Sequence, residues 1–110
     1  MDVTQHQEGS GVVLRISGKC TVEHAAALRD ALLAAVSTNQ AVSLDISGVE
    51  EADVTFLQLL LSAAQTLERS GRKLLRHGEV APAAQSAARV SGFAQSPKLT
   101  TFFNDEGRDG

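Results

Sequence analysis

The chain has no tryptophan and no tyrosine, and only four phenylalanines among its 110 residues. That removes the usual aromatic platforms on which proteins stack bases and sugars. Its single cysteine, Cys20, cannot close an internal disulfide, so nothing marks an oxidising compartment. No basic-then-apolar leader opens the sequence, and no apolar run approaches the roughly 20 residues that cross a bilayer. A cytoplasmic, bacterial-type protein without membrane insertion is the expectation. Excess positive charge is lacking too, with ten Lys and Arg against 13 Asp and Glu, a net −3. Nucleic acid is therefore not an expected partner, since binding phosphates needs clustered cations. The closest basic group, Arg69, Arg72, Lys73 and Arg76, reads as a solvated helix end and strand edge.

What is present fits one globular domain. Apolar residues make up 43% and charged residues 21%, a composition that buries a core. The domain is expected over residues 1–103, with a polar, frayed tail at 104–110. There is no internal repeat and no low-complexity stretch.

Two hydrophobic periods divide the chain. Val12, Leu14 and Ile16 alternate as one face of a strand, and residues 2–7 can pair with it as a hairpin through Gly9-Ser10-Gly11. Thr21 is a candidate cap for a first helix over 22–36, where Ala25, Leu28, Leu32 and Ala35 recur at helical spacing. Val42, Leu44 and Ile46 form the next strand. A second helix is expected over 55–70, stopped by Gly71. Residues 73–76 read as a short strand, Pro82 opens a third helix over 83–90 that Gly92 ends, and a last short strand is expected near 99–103. Strands followed by alternating strands and helices predict an α/β fold. The expected form is a four- to five-stranded mixed sheet with three or four helices packed mainly on one face.

The chemistry concentrates where the strand of Val42, Leu44 and Ile46 meets the second helix. Asp53 and Thr55 sit at a helix start, where backbone N–H groups lack intrahelical partners. Thr55 and Gln58 have the spacing of a capping box; alternatively Asp53 is the cap and Thr55 lies in the first turn. Leu57, Leu60, Leu61, Ala64 and Leu67 form the core stripe of this helix. Phe56, Leu59 and Ala63 fall outside the centre of that stripe and make a candidate apolar docking surface beside Thr55.

Other polar groups carry less. Cys20, His24 and Asp45 have no strained turn or base-adjacent spacing that would make them a hydrolytic set. Asp45 is expected to pair with a neighbouring backbone amide. Three scattered histidines and one cysteine match no metal spacing, and Gly9-Ser10-Gly11 lacks the lysine of a phosphate loop. No catalysis, metal or cofactor is expected.

The run Leu44-Asp45-Ile46-Ser47-Gly48-Val49, then Asp53, Thr55 and Leu57, then a strand and a third helix ending at Ser91-Gly92-Phe93, resembles the STAS family. That family is named for sulfate transporters and anti-sigma factor antagonists. The resemblance covers about residues 11–94. It departs at Ala52, where the family carries a larger apolar residue, at Val54, which replaces a small polar residue, and at Phe56, which stands where glycine is usual.

The resemblance implies a regulatory domain rather than an enzyme. In the anti-sigma antagonists, a serine kinase of the histidine-kinase-like ATPase fold, itself the anti-sigma factor, binds the unmodified protein and phosphorylates the hydroxyl opening the second helix. By position, Asp53 is the motif acid and Thr55 the phosphate acceptor. Glu50, Glu51, Val54, Phe56, Leu59 and Ala63 would then form the partner-binding edge. The other expectation is a constitutive docking subunit of a lipid-transport ATPase or a chemotaxis or signalling complex. Homodimerisation through exposed helices or a sheet edge stays open. Physically, a phosphate at a helix start meets free N–H groups and the positive end of the dipole. It also adds about −1.5 to −2 charges beside Glu50, Glu51 and Asp53.

Overall fold

The computed structural model describes residues 1–103; the expected tail at 104–110 lies outside them. The elements run β1 (Asp2–Glu8), β2 (Gly11–Cys20), a 3-10 turn (Val22–His24), α1 (Ala25–Val36), β3 (Ala41–Ala52), α2 (Val54–Arg69) and β4 (Leu74–Arg76). They end with α3 (Pro82–Ser91), a second 3-10 turn (Phe93–Gln95) and α4 (Pro97–Phe103). The sheet order is β1-β2-β3-β4. β1 pairs antiparallel to β2, while β2–β3 and β3–β4 are parallel. Parallel neighbours require crossovers, and α1 and α2 supply them.

The alternation in the sequence decides which face is covered. Val12, Leu14 and Ile16 of β2 and Val42, Leu44 and Ile46 of β3 point to one side. There they join Leu28 and Leu32 of α1, Leu57, Leu60 and Leu67 of α2, Ala84 and Ala88 of α3, and Leu99 and Phe102 of α4 in a single buried cluster. All four helices thus share one face of a four-stranded sheet, as the patterning predicts. On the opposite face Arg15 lies beside Asp45, with Nε 3.4 Å from Oδ2. Asp45 Oδ1 also accepts from the Ser47 amide (3.0 Å) and hydroxyl (2.6 Å). Burial works to raise this carboxyl, but the Ser47 hydrogen bonds and the charges of Arg15 and His77 outweigh it and hold it below its ordinary value.

β2 and β3 run further than the alternation suggests, β2 to Cys20 and β3 through Ser47-Gly48 to Ala52. The β2–β3 register shifts there. A Cβ on Gly48 would stand 2.9 Å from Ser17 Cβ, so the close approach of the strands at this irregularity requires glycine. At the end of α2, Gly71 adopts φ +77°. The Gly71 amide donates to the Glu68 carbonyl and the Arg72 amide to the Leu67 carbonyl, a Schellman closure.

Residues 99–103 are not a strand. They belong to α4, with Leu99 and Phe102 buried at a three-residue spacing. That spacing fits a helical face and not a two-residue period, and Pro97 suits a first turn.

The basic group read as solvated also differs. Arg72 donates from Nη1 to the Gln40 carbonyl (2.7 Å) and from Nη2 to the Val36 carbonyl (2.8 Å), tying down the end of α1. Arg76 is 2% exposed. It donates from Nε to the Gly78 carbonyl and from Nη1 to the Phe102 carbonyl, at 3.0 and 2.9 Å.

Candidate functional site

The site is built by the parallel pairing of β2 and β3. Cys20 stands opposite Ala52 in register, so Thr21-Val22 and Asp53-Val54 leave the sheet side by side. Two helical elements therefore begin next to each other. Asp53 serves both. It has extended backbone angles (φ −127°, ψ −175°), as an N-cap requires. Its Oδ1 accepts from the Phe56 amide at 3.2 Å, and its Oδ2 accepts from the Val22 amide at 3.0 Å.

This arrangement decides between the two cap readings. Asp53 is the N-cap of α2, and Thr55 is already helical in its first turn. The Thr55–Gln58 capping box does not form. Thr21 makes no side-chain cap bond either; its place is taken by Asp53 from across the sheet. Thr55 is half-buried, and its hydroxyl bonds to none of the described residues.

The apolar surface expected from Phe56, Leu59 and Ala63 is laid out differently. Phe56 is 1% exposed and belongs to the core, as does Ala63. Phe56 follows the Asp53 cap at the third position of α2, and its side chain is buried in the core cluster. Leu59 is half-buried and lies with Ala63 along a groove between α1 and α2. The apolar residues exposed at the junction are instead Val54, 47% exposed, and Val22, 65% exposed. They flank Asp53, and exposed Glu23, Glu50 and Glu51 neighbour them in sequence. Val22 lies 31 residues from Asp53 in sequence, and only the pairing of two parallel strands that end together brings it to the junction.

Cys20 sits just behind the junction. Burial pushes its thiol up to about 11; the N-terminal ammonium pulls it down and the Asp53 charge pushes it further up. A thiol held protonated is a poor nucleophile. Among the described residues no group of three or more His, Cys, Asp or Glu is placed to hold a metal ion. No described helix is long and apolar enough to cross a membrane.

Comparison with known proteins places this geometry. No curated protein matches the chain. Among solved structures, an anti-sigma factor antagonist from Mycobacterium paratuberculosis superposes with a TM-score of 0.75 at 20% identity, covering 94% of each chain. The anti-sigma factor antagonist SpoIIAA in its unphosphorylated form gives 0.64 at 14% identity, over 84% of this chain and 83% of that one. The murine anion transporter Solute Carrier 26 family member A9 gives 0.69 at 14% identity; 89% of this chain matches only 16% of the transporter. At these identities the structures establish the shared fold. The family model described as Mlab, STAS domain, matches residues 3–101, and on that match and this fold the chain belongs to the STAS family.

Proposed function

We propose that this protein is a regulatory, non-catalytic binding domain whose partner docks on the edge formed by the starts of the 3-10 turn and α2. Phosphorylation of Thr55 controls that docking. One observation carries the reading: Asp53 occupies the cap, so the Thr55 hydroxyl is not consumed by capping. A kinase would transfer the γ-phosphoryl of ATP to Thr55 Oγ1, releasing ADP and the hydroxyl proton. The phosphate would lie near the unpaired first-turn amides of α2, so the fold tolerates it. Its charge would add to those of Asp53, Glu50 and Glu51 nearby in the chain, next to the exposed Val54. Desolvating that group under a partner is unfavourable, so binding is lost while the domain stays folded. The partner proposed is a kinase of the histidine-kinase-like ATPase fold acting as an anti-sigma factor.

The experiment is phosphorylation with the cognate kinase, together with partner binding by calorimetry. Wild type becomes labelled and Thr55→Ala does not; Thr55→Glu weakens partner binding at least about tenfold. Labelling of Thr55→Ala equal to wild type defeats the switch.

A second reading is supported by the exposed Val22 and Val54, which give an apolar contact needing no modification. The domain is then a constitutive docking subunit of an ATPase or signalling complex. Under that reading Val54→Asp prevents co-purification with the partner, and Thr55→Glu leaves it intact.

A further inference from the structure

A sheet ordered β1-β2-β3-β4 leaves one side of β1 and one side of β4 without a neighbouring strand. β4 has only three residues, too few to offer a ladder. β1 has seven, Asp2–Glu8, and pairs with β2 residue for residue without a register shift. Every residue of β1 except Val3 is exposed. Folded proteins guard such an edge with proline, lysine, a bulge or a covering element. β1 contains no proline and no lysine, its ladder has no bulge, and no described strand lies outside it. Its outward amides and carbonyls suit one class of occupant, another extended strand.

The side chains say which strand. In a two-fold antiparallel pair one residue stands opposite its own copy, because cross-strand partners share a face of the sheet. With the axis at Thr4, Asp2-Val3-Thr4-Gln5-His6 meets itself reversed. Asp2 then stands opposite His6 of the second copy, Val3 opposite Gln5, and Thr4 opposite Thr4, a favourable hydroxyl pair. The acid–imidazole pair occurs on both sides of the axis. Both groups are available for it. No described residue pairs with the Asp2 carboxylate. His6 places Nε2 3.3 Å from Glu8, and its Nδ1 meets no described residue. Other registers are poorer. An axis at Gln5 sets Asp2 opposite Glu8 twice, and an axis at His6 sets the two imidazoles against each other; like groups directly opposite destabilise a pair. An axis at Val3 leaves only Asp2–Thr4 overlapped.

We propose that the protein self-associates through β1, as a two-fold dimer with Thr4 on the axis and Asp2 facing His6 of the second copy. The two four-stranded sheets join into one continuous sheet. An overlap of Asp2–His6 buries less than a stable interface needs, so the dimer is weak and concentration-dependent. It is independent of the Thr55 reading.

The experiment is sedimentation of the full chain from about 10 µM to about 1 mM, with amide chemical shifts recorded over the same range. A monomer–dimer equilibrium is expected, with the shifts concentrated in Asp2–His6. Asp2→Lys and His6→Glu, both at exposed positions, are each expected to weaken the dimer at least about twofold with an unchanged unfolding midpoint. Combined, they rebuild the pair with its charges exchanged, and dimerisation is expected to return to within about twofold of wild type. Cross-linking reads the register without relying on charge. Under oxidised glutathione, Thr4→Cys is expected to form a disulfide with its own copy, since directly opposed Cβ atoms lie about 4.5–5.5 Å apart, whereas Gln5→Cys is not. A monomer at every concentration overturns the proposal and leaves the edge to a strand of another protein. Tighter association of Asp2→Lys, or cross-linking by Gln5→Cys in place of Thr4→Cys, overturns it by moving the axis to Gln5. Concentration-dependent shifts confined to α1 or α2 also overturn it, by assigning association to a helical surface.

Discussion

Asp53 carries two functions in one carboxylate, one on each oxygen. Oδ1 caps α2 through the Phe56 amide, and Oδ2 holds the Val22 amide of the neighbouring turn. Replacing it by Ala leaves both amides without a protein partner. A lost cap costs about 1 kcal/mol, and a hydrogen bond to a charged acceptor contributes about 1.5–3 kcal/mol. Water reaches this half-buried position, so the expected loss for Asp53→Ala is about 2 kcal/mol. Asp53→Asn keeps one acceptor oxygen and should fall between the two. Urea denaturation checks the order wild type, Asn, Ala; an Asn variant as unstable as the Ala variant would show that one oxygen suffices for neither helix. The cap was legible in the sequence as one of two alternatives, because an acid before a helical stripe has a local meaning. The bond to Val22 was not, because it depends on the register that sets Cys20 opposite Ala52. Phe56 was misplaced for a related reason. A helical wheel assigns it to the shoulder of the stripe, but in the folded chain that shoulder is buried at the first turn.

At the scale of elements, the strands and the first three helices were legible from their hydrophobic periods, and α2 and α3 also from the stop signals at Gly71 and Gly92. α4 was not. Its seven residues are too few for a periodicity to separate helix from strand. The helix is fixed from outside, by burial of Leu99 and Phe102 and by the Arg76 guanidinium donating to the Phe102 carbonyl. A cation in a basic run reads as solvated; nothing in the sequence says that one of its donors meets a carbonyl 26 residues away. Arg76→Met keeps much of the side chain's length and apolar stem but removes the donors. Buried acceptors left unsatisfied cost about 1–3 kcal/mol each, so a loss of about 2 kcal/mol or more is expected. The loss should be local first. Hydrogen exchange at the amides of Leu99–Phe103 should accelerate more than exchange in β2 and β3. Uniform acceleration across the sheet would mean that Arg76 supports the whole core and not the docking of α4.

For the whole molecule, the helices cover one face of the sheet, and Cys20 lies at the end of that face beside the β3–α2 junction. Its thiol couples that burial to global stability. In the unfolded chain a cysteine ionises near 9.0, whereas in the native fold burial pushes Cys20 up to about 11. Between these values the unfolded chain has released a proton that the native state still holds. Unfolding is then accompanied by proton release, so stability falls as pH rises from about 9 and levels off near 11. Two pH units correspond to at most about 2.7 kcal/mol, and below pH 8 the thiol contributes no pH dependence. Cys20→Ala removes this titration while its packing loss shifts all pH values equally. The difference in unfolding free energy between wild type and Cys20→Ala, measured by urea denaturation from pH 8 to 11, should therefore shrink steadily as pH rises. A constant difference would mean that the native thiol ionises as freely as the unfolded one. It would then be reactive at the very edge where Asp53 joins the two helix starts.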